Sequence, residues 1–453
     1  MKTLLQFTAA ISLAVSTFAQ DFQAGVGRAD ITPAEPIRLA GYASRNKPSA
    51  GIEQKVFAKA LALRDSAGAV TLIVTADTIG VPRWFNDQLA DRLQRELQIP
   101  RERFLFACSH SHSTPVIHGC LEDMYGLTGK EAQVVEAYSK SFLQKSFEAA
   151  QAALKDLQPA RLSFGRGQAH FAANRRQFGP KGVGFGVNPN GPVDNDVPVL
   201  RVEREDGSLK AVLLAYACHC TTPGANDDIS GDWAGYAQQY LETTYPNATA
   251  LVMIGCGADA NPNPRGKAIY HRQHGLALAG AVARVLNEPM AKLAGPIQAA
   301  FDRVNLPLSE LPKKEDFEKK LNDKAPWVVR HAQRHLGMLA RGEKIMTSYP
   351  CPVQVLRFGD RFTLVAIGGE VVVDYSYRIR RELPQENVYV AGYANDVFAY
   401  VPSMRILTEG GYEAESNLIY YGIPTRFAPA VEDTLVKKVI ELVKKTGGAT
   451  VKE

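Results

Sequence analysis

The sequence predicts an α/β protein, a mixed sheet with flanking helices, built as a single large domain. Nine continuous apolar runs have strand length, longer segments of helical period lie between many of them, and the two kinds alternate along the chain. Glycine and proline are spread throughout, and no composition shift, repeat or low-complexity tract divides the chain.

In order, strands are expected at 56–65 ("VFAKALALRD"), 69–77, 103–109 ("RFLFACS"), 197–204, 211–219 ("AVLLAYACH"), 248–257 ("ATALVMIGCG"), 353–359, 362–369 ("FTLVAIGG") and 387–395 ("NVYVAGYAN"). Most are apolar without alternation, as strands covered on both faces are. Apolar residues recur at helical spacing in Arg83–Leu97, Lys130–Leu157, Trp233–Thr244 and Val431–Lys445. The charged helical segment 311–344 reads as peripheral, either an insertion or lid or, more simply, a hairpin with a solvated face.

Residues 1–19, "MKTLLQFTAAISLAVSTFA", put one lysine before an apolar run that ends in small residues. This is the pattern of a signal peptide, so a secreted or periplasmic location is expected, with 20–453 as the mature chain. The run is too short to span a bilayer, and no transmembrane segment follows. The formal net charge is +5, and residues 1–19 hold only Lys2, which leaves +4. So small an excess, with no basic tract, gives no reason to expect nucleic acid as a partner. Six cysteines allow 15 full pairings, and sequence does not choose among them. Several end or follow apolar runs, which suits buried small hydrophobes as well as disulfides.

The chemistry collects where strands end. "FLFACSHSH" delivers His110 and His112, "AVLLAYACH" delivers His219, and "ATALVMIGCG" leads to Asp259 and Asn261. "FTLVAIGG" leads to Glu370, and "NVYVAGYAN" to Asp396 and Tyr400. In α/β sheets, ligands gather beyond the carboxyl ends of strands. In extended chain, residues two apart point the same way, so His110 and His112 are expected to face one cavity. By the same argument His219 points away from Cys218 and Cys220. Two histidines, a carboxylate and an open position make a common catalytic zinc pattern. Of the other histidines, His331 and His335 lack the glutamate of an H-E-x-x-H helix, and His271 and His274 read as surface.

Eleven motifs in order resemble the neutral/alkaline (non-lysosomal) ceramidase family. They are "GVGRADITP", "AGYA", "SHSHSTP", "NRR", "DNDVPVLRVEREDG", "YACHCTTPG", "GDWAGYAQQYLE", "GADANPNP", "GGEVV", "AGYANDVFAYVP" and "GGYEAES", across about residues 25–430. The resemblance implies a zinc-dependent amidase that splits ceramide. It implies zinc ligands at His110, His219, Glu370 and Tyr400, with His112 beside the metal and Tyr412 and Arg175 facing the substrate. It also exposes departures. Asn261 stands where the family has a serine needed for activity, "STPV" replaces an "SGPG"-like turn, and too few residues follow Val431 for the family's C-terminal immunoglobulin-like domain.

The expected reaction is hydrolysis of an N-acyl amide by zinc-activated water. His112 would move protons, with Asp232 or Asp259 near it, and Tyr412, Arg175 and Asn261 would stabilise an oxyanion. The partner is then a small-molecule, lipid or glycan substrate. Two alternatives stay open: a zinc hydrolase of a glycosidic or ester bond in a glycan, and a non-catalytic metal-containing binding protein.

Overall fold

A computed structural model describes residues 22–383 and 387–450, so the signal-peptide expectation lies outside the described residues. Two sheets stack face to face with helices outside each. In the larger sheet the strands run, in spatial order, Thr249–Ile254, Leu209–Tyr216, Asp196–Arg204, Gln158–Gln168, Phe22–Asp30, Phe57–Asp65, Val70–Ala76 and Phe104–Cys108. The smaller runs Ile297–Pro307, Ser348–Phe358, Phe362–Ile367 and Val388–Ala391. Both are mixed. Val70–Ala76 and Phe104–Cys108 are parallel, as are Leu209–Tyr216 and Thr249–Ile254, and Phe362–Ile367 and Val388–Ala391.

The side-chain period of two builds the layers. Leu105 and Ala107 join Leu364 and Ala366 in the core between the sheets. Phe104 and Phe106 point the other way, onto Phe85 and Leu89 of helix Arg83–Leu97 and Phe142 of helix Gly129–Lys155. Val365, Val388 and Val390 face a third core with Leu435, Val439 and Leu442 of helix Val431–Lys445. Strands covered on both faces must be apolar throughout, which is why they stood out in the sequence.

The larger sheet curls until its edges approach, with Thr249–Ile254 packing beside Val70–Ala76 and Phe104–Cys108. The chain at 391–395 stitches those edges. Gly392 N donates to Ile254 O, Cys108 N to Tyr393 O and Asn395 N to Phe106 O. This closure brings together loops that would otherwise sit at opposite ends of the sheet.

Segment 311–344 forms the helices Lys314–Lys320 and Pro326–Ala340. One side faces water as expected, but the other is docked. His331, Ala332 and His335 are buried, His331 Nε2 donates to Ile423 O at 2.9 Å, and Arg334 pairs with Asp123 at 2.9 Å. His271 and His274, expected at the surface, are buried in helix Ala268–Leu286, which packs along helix Asp232–Thr244. All six cysteines are free and buried. Among the described residues, no helix is long and apolar enough to cross a membrane.

Candidate metal centre

Two histidines of the centre, His110 and His219, are each aimed by the loop of the adjacent parallel strand. His110 follows Phe104–Cys108, and its Nδ1 meets Ile79 O, beyond Val70–Ala76, at 2.6 Å. His219 follows Leu209–Tyr216, and its Nδ1 meets Gly257 O, beyond Thr249–Ile254, at 2.9 Å. A carbonyl accepts only, so each Nδ1 carries the proton and each Nε2 presents a lone pair inward. Glu370 and Tyr400 are paired across the short parallel ladder Glu370–Val371 and Tyr400–Val401, so register alone sets them side by side.

These groups converge on one point. Glu370 Oε2 lies 3.0 Å from His110 Nε2 and 3.1 Å from His219 Nε2, and Tyr400 OH lies 3.0 Å from His219 Nε2. His112 Nε2 is 3.1 Å from His110 Nε2. His110, His219, Glu370 and Tyr400 are all buried. Two imidazole lone pairs and a carboxylate oxygen in contact repel one another unless positive charge sits among them, so this donor set fits a cation. The ring nitrogens of His110, His112 and His219 lie within 4.8 Å of one another and could hold a metal ion. Neither Cys218 nor Cys220 belongs to that cluster, and burial pushes both thiols well up.

Around this centre, Arg175 reaches four partners. Its Nη1 lies 3.2 Å from His219 Nε2 and 3.4 Å from Asn261 Oδ1, its Nη2 donates to Tyr400 OH at 2.9 Å, and its Nε donates to Glu413 at 2.7 Å. Thr221 Oγ1 also donates to Asn261 Oδ1, at 3.2 Å, which leaves the Asn261 amide nitrogen as the end free to donate. The Tyr412 ring stands 5.2 Å from that of Tyr400, at the outer side.

The electrostatics follow from burial opposed by neighbours. Burial acts to raise Glu370, but His110 and His219 outweigh it and hold the carboxyl well below its usual range. Burial, with Arg175 adding to it, lowers His219 to about 4. Burial, then the two neighbouring imidazoles, keep His112 well below the ordinary histidine range. Burial acts to lower Arg175, but Tyr400 and Glu413 hold it well above its usual value.

His110, His112, Arg175, His219, Asn261, Glu370, Tyr400 and Tyr412 gather here, whereas the Asp396 carboxyl turns to the Tyr349 hydroxyl instead, and two further details differ from expectation. The H-x-H segment is not extended: His110 has a φ of 55°, and the rings meet because the chain turns. Asp232 and Asp259 do not serve His112. Asp232 accepts the amides of Thr222 and Trp233, and Asp259 accepts Val373 N and Asn174 Nδ2. Burial pushes Asp259 up to about 6. These carboxylates shape the loops that carry the ligands.

Sequence reading missed Tyr421, whose hydroxyl donates to Glu370 Oε1 at 2.5 Å. It missed Tyr393, whose ring lies 4.4 Å from that of His110, and Glu413, clamped between Arg175 and Arg176 at 2.7 and 2.6 Å. Tyr393 and Glu413 sit inside quoted motifs; Tyr421 carried no signal.

Layers and donors together define an α/β protein with a candidate metal centre at the carboxyl ends of its strands. The chain belongs to the neutral/alkaline non-lysosomal ceramidase family, whose N-terminal family model matches residues 22–274. It is 29% identical over 273 residues to neutral ceramidase A of Dictyostelium discoideum, covering 54% of this chain and 36% of that one. It is 26% identical over 246 residues to neutral ceramidase of Pseudomonas aeruginosa, covering 51% and 35%. The matched stretch thus spans about a third of the length of these curated relatives. The crystal structure of the Pseudomonas aeruginosa enzyme superposes with a TM-score of 0.73 at 19% identity, covering 94% of this chain and 75% of that one. A ceramidase complexed with C2 gives 0.72 at 18%, covering 96% and 77%. His110, His112, Arg175, His219 and Asn261 lie inside the family match; Glu370, Tyr400 and Tyr412 lie beyond it.

Proposed function

We propose that this chain is an exported zinc-dependent hydrolase that cleaves the N-acyl amide of a ceramide-like lipid or another acylated amine. The observation that carries the reading is the convergence of His110 Nε2, His219 Nε2 and Glu370 Oε2 beside the Tyr400 hydroxyl, with both Nδ1 protons already committed. Family membership supplies the reaction class, and the relatives named above are ceramidases by name. Export rests on residues 1–19.

In this reading His110, His219, Glu370 and Tyr400 hold the ion, and His112 stands beside it. Zinc supplies a Lewis acid that polarises a carbonyl and brings the pKa of water to near ~7. His112, kept neutral by burial and its imidazole neighbours, takes a proton at Nε2 and returns it to the leaving amine. Arg175 stays charged and turns its guanidinium toward the reacting group while Glu413 holds its far side. The Asn261 amide and the Tyr412 hydroxyl donate to the oxygen on which charge develops; losing one such donor typically costs about 10²–10³ in rate. An amide can fill that role, whereas it cannot act as a serine-type nucleophile.

The test is hydrolysis of a fluorescent short-chain ceramide by the purified protein, with zinc and after chelation, beside ester and glycoside panels. Zinc-dependent release of the fatty acid supports the reading. Turnover confined to esters or glycosides would replace it with the glycan reading, and zinc binding without any turnover would leave a binding protein.

A further inference from the structure

We infer that the hairpin of strands Ala172–Gly179 and Gly182–Asn188 seats this protein on a lipid surface, with Phe178, Phe185 and Val187 among the headgroups at the mouth of the candidate site. The inference rests on the lipid-substrate reading above.

The hairpin's second strand reads "GVGFGV". A period of two puts Val183, Phe185 and Val187 on one face and bare glycine on the other. The register pairs Phe178 with Val183, so Phe178 joins the apolar face. Val183 leans against Gly411, but Phe178, Phe185 and Val187 are 59%, 61% and 50% exposed. Phe178 and Phe185 are the only exposed phenylalanines among the described residues. A face this apolar, held in water, marks a contact surface.

Position and charge select the partner. The Phe185 ring lies 5.0 Å from that of Tyr412 and beneath the Arg175 guanidinium at 5.1 Å, so whatever covers the hairpin borders the reaction centre. On the hairpin itself, from Phe178 to Val193, there is no carboxylate and Lys181 at the tip is the one charge, so the hairpin does not repel a surface of phosphate headgroups. Gly182–Asn188 is the outer strand of its sheet, so its outward backbone groups need water. That limits insertion to headgroup depth and leaves the aromatic rings as anchors. A second copy of the chain is the poorer occupant, because a stable dimer buries roughly 800 Å² a side, more than three side chains supply.

The test is co-sedimentation with vesicles of phosphatidylcholine and phosphatidylglycerol, comparing the protein with the double variant Phe178→Ser/Val187→Ser. Neither side chain is part of the candidate centre, and both face water, so the melting temperature should not change. We expect the unaltered protein to sediment and the variant to bind at least ~10-fold more weakly. An unaltered protein that stays in the supernatant, or a variant that binds equally, overturns the inference. A concentration-dependent dimer that the variant abolishes, without vesicle binding, overturns it in favour of a second copy. Cleavage of a water-soluble short-chain amide should be equal in both proteins. If neither cleaves it while vesicle binding falls as expected, the docking surface stands and the amide reading fails.

Discussion

His110 reaches the centre from a left-handed backbone, with a φ of 55°, a conformation that costs a non-glycine residue roughly 1–3 kcal/mol. Tyr393, at the same φ, faces it ring to ring. Two strained residues in contact at a strand end are what a fold tolerates when the position of a side chain matters more than local comfort. Replacing His110 by Ala should remove bound zinc and activity together, and full zinc content by elemental analysis would reject His110 as a ligand. Tyr421 makes a finer prediction. Its hydroxyl fixes Glu370 Oε1, which leaves Oε2 for the histidines. Tyr421→Phe should keep the fold and lower zinc affinity about 10–100-fold in chelator competition, as loss of an outer-shell partner does. The histidines were legible because the chain has only 9 and three of them follow apolar strand runs; Tyr421 was not, because its partner lies 51 residues away in sequence.

Among the elements, the strand Phe22–Asp30 shows what apolar-run reading overlooks. Its "AGVGRA" stretch is too glycine-rich to register as a strand, yet it lies inside the larger sheet. The glycines are there because helix Gly129–Lys155 lies directly on the strand. A Cβ at Gly27 would come 2.0 Å from Ala149 O, and one at Gly25 would come 2.0 Å from Ala153 O. The helix answers with Ala149, Ala150 and Ala153 on its buried side. Gly27→Ala therefore has to push the helix away. We expect a loss of about 1–3 kcal/mol, seen as a lower urea midpoint at unchanged slope. An unchanged midpoint would mean that the helix moves freely. Helices with strong periodicity, Arg83–Leu97 and Val431–Lys445, fall where the sequence puts them. Helix Ala268–Leu286 starts just before His271 and His274, as the sequence suggests, but their burial was not legible, because it depends on the neighbours that pack over them.

At the scale of the whole molecule, the curl of the larger sheet turns separate loops into one centre. Sequence showed what each strand delivers but not that the edges meet, since closure depends on pairing between residues far apart in the chain. Directly after the closing segment comes Asp396, whose backbone oxygen accepts Gly369 N and whose carboxyl accepts the Tyr349 hydroxyl at 2.8 Å. Burial pushes this acid from its ordinary 3.8 up to about 7, against the pull of Tyr349. Between those two values the folded protein holds a proton that the unfolded chain has released. Stability must then fall as pH rises across that window, and the contribution is fully present only below it. Asp396→Asn keeps a side-chain oxygen for the Tyr349 hydroxyl and removes the titration. The stability of the unaltered protein, measured against that variant by urea unfolding at pH 4 to 7, should decline steadily with rising pH. A constant difference would mean that Asp396 titrates alike in the folded and unfolded chains, and that this acid, beside the segment closing the sheet, carries its charge without cost.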